Sequence, residues 1–381
     1  MQKITIIGGG IAGLTTAIAL KNIGIRADVY EAAPAFKPLG AGLLLAANAI
    51  QGYQNLGIAE KIISKGHLLP YFKVLDQNGK VITSADAGSI GRKYGLHNFA
   101  IHRADLHEAL VTELDADQLH TNHQATGFSL QTDGSVLVHF ESHESVHTEF
   151  VIASDGIHSP FRKQLLPHST PRYAGYTCWR AVVDARSIQL DAASETWGAG
   201  RRFGIVPLAD HKVYWFACVN APENDTEIRS KTIFDVQGLF QDFHAPIPDL
   251  LRLTRQEDLL LNDIIDLEPI PQFAFGPVVL IGDAAHATTP NMGQGACQAI
   301  EDAVVLAQEI KQSDSIPEAF KNFEKRRLER THWIVNNSWR LGKIAQWENP
   351  FLMGLRNALF RMMPAGVNER QMKRVLHPSW D

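Results

Sequence analysis

The sequence predicts a mixed α/β protein: a discontinuous α/β domain, an inserted and mostly antiparallel β-sheet, and helices at the C-terminal end. Three observations support this. A strand, a glycine-rich turn, a helix and a second strand follow one another within about thirty residues, an order that requires a parallel sheet. The apolar run 278–281 and the helical pattern that follows it predict another strand and helix of the same α/β domain. Between these two regions, residues from about 172 to 272 have the pattern of short strands.

Length and composition limit the class of protein. A chain of 381 residues has ample volume for two domains, and 45% hydrophobic with 20% charged residues is ordinary for a globular protein. The formal charge of −5 gives no sign of a nucleic-acid partner. The sequence predicts no transmembrane segment, and glycines interrupt the N-terminal stretch that otherwise resembles a secretory signal. The widely spaced Cys178, Cys218 and Cys297 predict no metal site and favour a cytoplasmic location.

The N-terminal unit carries a phosphate-binding fingerprint. Gly8, Gly10 and Gly13 match G-x-G-x-x-G directly after the first strand and at the start of a helix. The first glycine makes the tight turn, the second lets a pyrophosphate approach the backbone, and the third lets helix and strand pack closely. Glu31 ends the second strand, where a carboxylate accepts hydrogen bonds from an adenosine ribose. We therefore predict dinucleotide binding rather than a glycine-rich turn alone, with NAD and FAD both open.

The middle of the chain is less regular. "NFAIHRADLHEALVTEL" predicts a helix after Arg103 with Asp105 as a possible N-cap, and "DQNGK" is typical of a hairpin turn. Residues 129–153 alternate in the manner of strands, and one helical interlude falls near 230–255. A second glycine cluster, "GAGRRFG" at Gly198, lacks a strand pattern before it and a helical pattern after it. We interpret it as a turn, so one dinucleotide-binding unit must serve the whole chain.

A segment near the C-terminal end has a second anion-binding pattern. "GDAAHATTPNMGQGACQAIEDAVVL" leaves an apolar strand through Gly282 and Asp283, passes Pro290 and enters a helix at Gly295. A helix N-terminus offers unpaired N–H groups and a positive dipole end. The pattern suggests an anion or a ring system held there, although Asp283 is alternatively only a helix cap. We expect His286 to be a local hydrogen-bonding residue rather than a catalytic base.

With "GGGIAG", Arg103, "ASDGIHSPFR" and this last segment, the chain resembles the flavin-dependent aromatic hydroxylases, the class A FAD monooxygenases typified by para-hydroxybenzoate hydroxylase. The resemblance covers nearly the whole chain in the family's order and spacing. The residues around Gly282 look closest to the branch containing urate hydroxylase, salicylate hydroxylase and zeaxanthin epoxidase. The resemblance implies a Rossmann-type FAD-binding domain, NADH or NADPH as a transient reductant, and a small molecule and O₂ as substrates. We expect a monomer or a homodimer.

The resemblance also implies the cofactor contacts. Asp283 would bond the ribityl chain of FAD, Pro290 would lie beside the isoalloxazine ring, and residues 293–296 would present N–H groups to the N1–C2=O edge. Arg103 would reach the pyrophosphate, and the motif at 155–162 is implicated in binding both FAD and NAD(P)H. The complete predicted set is Gly8, Gly10, Ile11, Ala12, Gly13, Glu31, Ala32, Arg103, Asp155, Gly156, Gly282, Asp283, Pro290, Gly293, Gln294, Gly295 and Ala296.

The implied reaction is hydroxylation through a flavin C4a-hydroperoxide, formed after NAD(P)H reduces FAD and O₂ adds. The cofactor carries this chemistry, so no side chain is assigned as catalytic and no metal is needed. Substrate contacts should come from the inserted sheet, where Arg180, Arg202 and Tyr214 lie at positions resembling those that face the substrate in the urate hydroxylase branch. Two cations and a phenol suit a planar acidic or heteroaromatic substrate. Alternatively, Arg201 and Arg202 form a solvated turn.

Three other functions fit the same sequence: a flavin-dependent reductase or dehydrogenase of the same fold, an epoxidase of an alkene or polyene, and a non-enzymatic FAD-binding redox sensor. Substrate-linked O₂ consumption separates a monooxygenase from a reductase. The last part of the chain, with Trp333, Trp339, Trp347 and Trp380, predicts two amphipathic helices. The predicted domains are 1–70, 100–171 and 273–330 for FAD binding, 71–99 and 172–272 for the substrate-binding sheet, and 331–381 for a C-terminal helical segment.

Overall fold

The computed structural model describes residues 3–36, 41–86, 98–363 and 374–376. In chain order its strands are β1 Ile4–Ile7, β2 Ala27–Tyr30, β3 Gly42–Leu45, β4 His67–Leu69, β5 Tyr71–Asp76, β6 Val81–Asp86, β7 Asn98–His102, β8 Leu119–His120, β9 Ala125–Leu130, β10 Val136–Phe140, β11 Val146–Thr148, β12 Phe150–Ala153, β13 Pro171–Asp184, β14 Ala193–Trp197, β15 Arg201–Pro207, β16 Lys212–Asn220, β17 Leu260–Leu267, β18 Ala274–Phe275 and β19 Val278–Leu280. Its helices are α1 Ile11–Asn22, α2 Ala47–Asn55, α3 Ala59–Ile63, α4 Arg103–Val111, α5 Pro160–Leu165, α6 Thr226–Ser230, α7 Ile233–Leu239, α8 Ile247–Leu253, α9 Asp283–His286, α10 Gly295–Gln312, α11 Ile316–Ala345 and α12 Pro350–Met362.

The predicted βαβ unit lies at the centre of a six-stranded sheet with the order β18-β19-β12-β1-β2-β8. β1 pairs in parallel with β2 on one side and with β12 on the other, and β19 is parallel to β12. Parallel strands end at the same edge of a sheet, where ligands of such folds bind. The turns after β1, β12 and β19 carry the glycine fingerprint, Asp155–Gly156 and Gly282–Asp283, and the topology therefore brings these three motifs to one edge.

The inserted sheet has seven strands in the order β17-β13-β16-β15-β14-β5-β6. Its pairs are antiparallel except for β14 with β5, as the prediction of a mostly antiparallel sheet expected. β5 and β6 form a hairpin at "DQNGK", where Gly79 has φ +83°. One face of the sheet buries Trp179, Phe203 and Trp215 together with apolar residues of α7 and α8. The opposite face is turned toward the FAD-binding part, because Tyr214 packs against Gly42 of β3.

The C-terminal helices pack onto both parts of the protein. α11 has 30 residues and crosses the boundary predicted at 330/331, so the predicted C-terminal segment is continuous with the FAD-binding part. α12 packs on the inserted sheet, where Phe360 makes an edge-on contact with Trp197. Trp380 lies outside the described residues. Within the described ranges, no helix is both long and apolar enough to cross a bilayer.

Two local predictions are wrong. The N-cap of α4 is His102, whose Nδ1 accepts a hydrogen bond from the N–H of Ala104 at 3.3 Å, whereas Asp105 lies in the first turn. The glycine cluster at Gly198 is a turn only in its first half, because β15 begins at Arg201. Pairing with β16 stabilises that strand, and a distant partner strand leaves no local signal in the sequence. Arg202 is therefore a buried strand residue and not part of a solvated turn.

Candidate functional site

The glycine turn after β1 is tightly packed. Gly8 has φ +101°, and a Cβ there would lie 2.4 Å from the carbonyl oxygen of Ser154. A Cβ on Gly13 would lie 1.9 Å from the carbonyl oxygen of Gly8, so α1 can approach the turn only through a glycine. At Gly10 an added Cβ would meet no atom of the described residues within 4 Å. The turn thus constrains Gly8 and Gly13 by packing and leaves open space beside Gly10.

The first turn of α1 borders this open space. Its N-cap, Gly10, has no side chain to satisfy the free N–H groups of the helix, and the first backbone bond of the helix runs from Leu14 N–H to Gly10 O at 3.0 Å. The N–H groups of Ile11, Ala12 and Gly13 therefore have no partner within the helix. Such a terminus, with its positive dipole end, is suited to a pyrophosphate.

Glu31 follows β2 and reaches back to the glycine turn. One carboxylate oxygen accepts the N–H of Gly9 at 2.6 Å and the other accepts the N–H of Ala33 at 2.8 Å. Gly9 is more constrained than its place in the motif suggests, because an added Cβ would lie 2.7 Å from the Phe36 ring and 3.0 Å from Glu31. Its carbonyl oxygen is held by His107 Nε2 at 2.8 Å. The sequence reasoning assigned no role to Gly9 or His107.

Gly282 and Asp283 follow β19 at the same edge. Gly282 has φ +57° and ψ −140°, a conformation that favours glycine, and its added Cβ would lie 2.9 Å from the Cβ of Ala12. The Asp283 side chain is open to solvent on one side but otherwise surrounded by protein. This burial raises its pKa, and His286, Arg103 and Arg162 act in the opposite direction. The predicted Arg103 therefore lies within electrostatic range of Asp283, with its own side chain exposed.

A short 3₁₀ turn, Pro290–Met292, precedes the N-terminus of α10, the second uncapped helix N-terminus at this edge. Gly293 adopts a left-handed conformation with φ +62°, and a Cβ there would meet nothing within 4 Å. α10 then begins at Gly295 without a side-chain cap, while the buried Gln294 is bound to Asn48 by a hydrogen bond of 3.0 Å. The N–H groups of Gly295 and Ala296 lie in the first turn of an 18-residue helix, which places its positive dipole end beside Pro290.

Asp155 and Gly156 follow β12 and complete the edge. Both carboxylate oxygens of Asp155 are buried, and within the described ranges neither has a hydrogen-bond partner of normal geometry, although Ser159 and the backbone N–H of Phe161 lie close enough to oppose the pKa shift. Burial raises the pKa of Asp155 to about 6, and the nearby Ser159 and Arg162 only partly oppose the shift. Arg162, also buried, donates to the carbonyl oxygen of Ala284 at 3.0 Å and to that of Ile157. An unpartnered carboxylate between two glycine turns fits a site that is completed by a polar ligand.

The raised pKa of Asp155 predicts that the stability of the FAD-free protein depends on pH. Because the pKa of Asp155 is raised in the folded state, the folded FAD-free protein binds this proton more tightly than the unfolded chain. Its contribution to stability falls as pH rises from about 4 to about 6 and stays low above that range. Asp155→Asn should therefore be more stable than the wild type near pH 8 and equal to it near pH 4, measured by urea unfolding. The exposed Glu149→Gln is the control, and an equal effect of Asp155→Asn at both pH values would contradict the prediction.

A buried charged network, which no sequence pattern indicated, lies behind the Gly282 turn. One oxygen of Asp302 accepts the N–H of Gly282 at 2.9 Å and faces His286 Nε2 at 2.6 Å. Its other oxygen accepts Nε of Arg327 at 2.7 Å. Arg327 also donates to Glu301 at 2.5 Å. Burial alone would raise the pKa of Asp302, but His286 and Arg327 outweigh it and hold that pKa below its usual range. His286 is thus a hydrogen-bonding residue, as expected.

Strand register shows that the three predicted substrate residues share one face of the inserted sheet. Arg202 and Cys178 both pair with Cys218, while Tyr214 pairs with Val182 two residues beyond Arg180. Directly opposed residues and residues two apart on a strand point to the same side. Arg180, Arg202 and Tyr214 therefore all lie on the face that is turned toward the FAD-binding part.

The surroundings of Arg180, Arg202 and Tyr214 differ. Arg202 is 2% exposed and pairs with Glu195 at 2.9 Å, while its Nε donates to Gln346 at 3.0 Å. Arg180 is half-buried and donates to Asn262 at 3.1 Å. The pKa of Tyr214 is raised by burial, and Arg180 opposes that shift. Arg202 is thus an internally neutralised cation, and Arg180 is the cation beside Tyr214.

Comparison with known proteins agrees with this architecture. A family model described as "FAD binding domain" matches residues 1–337. Aurachin C monooxygenase/isomerase of Stigmatella aurantiaca is 37% identical over 374 residues, 98% of this chain and 97% of that protein. The 2-heptyl-3-hydroxy-4(1H)-quinolone synthase of Pseudomonas aeruginosa is 32% identical, over 98% and 97%. The crystal structure of Klebsiella pneumoniae HpxO with FAD and uric acid superposes with a TM-score of 0.91 at 27% identity, covering 98% of this chain and 96% of that one.

Fold and site together define an FAD-dependent enzyme in which a mostly antiparallel sheet faces the edge that carries the three glycine-containing turns. The chain belongs to the FAD-binding-domain family, and it is a flavoprotein monooxygenase of the aromatic hydroxylase type. The resemblance to class A FAD monooxygenases is confirmed, as are the predicted FAD cofactor and a small-molecule substrate.

Proposed function

We propose that this enzyme hydroxylates a planar, neutral or weakly acidic heteroaromatic ring that carries an apolar substituent, a compound of the 2-alkyl-4(1H)-quinolone type. The observation that carries the proposal is the pairing of Arg202 with Glu195, which removes one of the two cations expected for an acidic substrate. Arg180 and Tyr214 then provide one cation and one phenol for a ring with few polar groups. A ring carbonyl and N–H suit these two side chains.

The part of this face that surrounds Tyr214 is apolar. Around Tyr214 the structure packs residues of β13, β15 and β16 against residues of the FAD-binding part and of β5. This lining would stabilise an alkyl substituent by about 0.8 kcal/mol for each buried CH₂ group. The residues concerned are Ala41, Leu44, Leu69, Phe72, Ala100, Ala193, Val182, Val206, Leu208 and Phe216.

The relatives support the same substrate class. One of them is named for an aurachin and another for a quinolone with a heptyl chain, and the matches cover 97% of each of these proteins. The full-length matches are consistent with a shared reaction type, and the apolar lining around Tyr214 is consistent with a substrate that carries a hydrocarbon chain.

The cofactor assignments form part of the proposal. Bound FAD would supply the redox chemistry, taking reducing equivalents from NADH or NADPH and activating O₂. Glu31 would hold the adenosine ribose, the α1 terminus with Arg103 would hold the pyrophosphate, and Asp283 would hold the ribityl chain. The α10 terminus would stabilise negative charge on the ring edge. The reductant would bind transiently near Asp155. A cytoplasmic location and a monomer or homodimer stay predictions.

A second candidate is hydroxylation of a purine-like ring such as urate. The HpxO structure, which was solved with uric acid, superposes over 98% of this chain. Arg180 and Tyr214 would then pair with an anionic heterocycle. The pairing of Arg202 with Glu195 disfavours this candidate, because it leaves Arg180 as the one unneutralised cation among the three predicted substrate residues to balance an anion.

A direct comparison of substrates tests the proposal. The purified FAD-bound protein is supplied with 2-heptyl-4(1H)-quinolone or with uric acid, and NADH oxidation, NADPH oxidation, O₂ uptake and product mass are recorded. We expect the quinolone to stimulate O₂ uptake and to gain one oxygen atom. Stimulation by uric acid alone would favour the second candidate. Reductant oxidation without substrate-linked O₂ uptake would indicate a reductase.

A further inference from the structure

Tyr176 connects the substrate sheet to the segment that follows Pro290. It lies on β13, two residues before Cys178 and four before Arg180, and therefore on the face turned toward the FAD-binding part. The ring is 2% exposed, and its hydroxyl donates to Oδ1 of Asn291 at 3.0 Å. Burial raises the pKa of Tyr176 well above its ordinary range, so the phenol stays protonated and remains a donor.

Both polar atoms of the Asn291 amide are hydrogen-bonded to neighbouring residues. Its Nδ2 donates to Oγ1 of Thr289 and to the carbonyl oxygen of Ser338, both at 2.9 Å. Since a carbonyl can only accept, the amide orientation is fixed, and Oδ1 must face Tyr176. On the α11 side the backbone approaches closely, because a Cβ on Gly342 would lie 2.4 Å from Nδ2. The amide is therefore held between the sheet, the Pro290–Met292 turn and α11.

The contact extends into the substrate sheet. The guanidinium carbon of Arg202 lies 5.0 Å from the centre of the Tyr176 ring, within cation–π range. Arg202 is itself fixed by Glu195 and Gln346. Sheet, phenol and amide thus form a continuous connection from β15 to Asn291, the residue after Pro290. The family resemblance implies that Pro290 lies beside the flavin ring.

We infer that Tyr176 and Asn291 are positioning residues that set the distance between the substrate on the sheet and the flavin ring at Pro290, and so keep reductant oxidation coupled to hydroxylation. The inference rests on the proposed function. A misplacement of 1 Å can cost about 10²-fold in rate. Oxygen transfer that misses the substrate carbon releases hydrogen peroxide instead of product, while the reductant is still consumed.

The first test is Tyr176→Phe, which removes the hydroxyl and leaves Oδ1 of Asn291 without its donor. We expect the ratio of product to reductant oxidised to fall at least about threefold, within the range expected for a small misplacement, with matching peroxide release and unchanged FAD content. The probe is whichever of 2-heptyl-4(1H)-quinolone and uric acid the wild type hydroxylates. Tyr173→Phe is the matched control, since that phenol lies on the same strand but donates to Ala221 O at 2.7 Å, away from Pro290.

Gly342→Ala is an independent variant, because its Cβ would lie 2.4 Å from Nδ2 of Asn291 and displace that amide from the α11 side, while alanine is a better helix former than glycine. It should uncouple the enzyme as Tyr176→Phe does. A second readout needs no substrate: the visible circular dichroism of bound FAD should change in both variants and not in Tyr173→Phe. If neither probe is turned over, the substrate proposal fails and this spectrum still decides the inference. Unchanged coupling or an unchanged spectrum in both variants would overturn it, as would equal changes in the control.

Discussion

Replacing Gly10 by alanine should remove FAD from the protein without destabilising the FAD-free fold. Gly10 has φ −77° and ψ −172°, which alanine adopts freely, and its Cβ would meet no protein atom within 4 Å. Among the residues that the structure describes nothing obstructs such a Cβ, so we expect its effect to fall on a ligand that approaches the α1 terminus. We expect FAD affinity to fall by about 10²-fold or more, equivalent to about 3 kcal/mol of lost phosphate contacts. Equilibrium dialysis with FAD and urea unfolding of the FAD-free protein measure the two effects separately.

The control for this variant is Gly238→Ala, a helical position where an added Cβ also meets nothing within 4 Å. It should change neither FAD affinity nor, beyond a small helix-propensity gain, stability. Gly8→Ala and Gly13→Ala are less informative, since both clash with backbone atoms and would disturb the fold itself. Retention of FAD at wild-type affinity by Gly10→Ala would show that the pyrophosphate lies elsewhere.

Asp302→Ala should produce the largest loss of stability. The substitution leaves the Gly282 N–H, His286 and the buried Arg327 without their shared partner. Breaking a buried ion pair in this way costs about 3–5 kcal/mol. Because the pKa of Asp302 is held below its usual range, its stabilising contribution is present above about pH 4 and is lost as pH falls through the lowered pKa. The difference between wild type and variant should therefore shrink in acid.

Urea unfolding at neutral and at acidic pH measures this effect, and FAD affinity reports the consequence for the Gly282 turn. Glu329→Ala on α11, the helix that carries Arg327, is the matched control, since Glu329 is 90% exposed and its contact with Arg374 is 3.6 Å. An exposed pair contributes about 0–1 kcal/mol. An Asp302→Ala variant as stable as this control would mean that the network does not hold the turn.

Local motifs were predictable because each has a backbone cause. The turns at Gly8 and Gly282 have positive φ, and Gly13 lies against a carbonyl oxygen, so glycine is required at all three positions whatever the rest of the chain does. The parallel order of β1, β2, β12 and β19 then brings motifs that are far apart in sequence to one edge. Strand periodicity likewise predicted the inserted sheet, since its alternate residues face a helical layer and the FAD-binding part.

Pairwise contacts between distant side chains were not predictable. Nothing in the local pattern around Arg202 shows that the neighbouring strand brings the Glu195 carboxylate within 2.9 Å of its guanidinium. Arg202 is paired with Trp197, and Glu195 lies two residues before Trp197 on the same face. The expectation of two free cations changed once this register was known. Similarly, "QAIEDA" has an ordinary helical spacing, and only the approach of α11 shows that Glu301 and Asp302 are buried against Arg327. The contact between Tyr176 and Asn291 crosses 115 residues of sequence and has no sequence signature.

The central claim, that this enzyme transfers an oxygen atom from O₂ to a heteroaromatic ring, is tested most directly with ¹⁸O₂. The FAD-bound protein is incubated with NAD(P)H and 2-heptyl-4(1H)-quinolone under ¹⁸O₂ in ordinary water, and the product is weighed by mass spectrometry. We predict one ¹⁸O atom in each product molecule and one reductant oxidised for each oxygen atom transferred. A product that gains an unlabelled oxygen atom, which would come from water, would contradict the claim. So would reductant oxidation that leaves both the quinolone and, in a parallel incubation, uric acid unchanged under ¹⁸O₂.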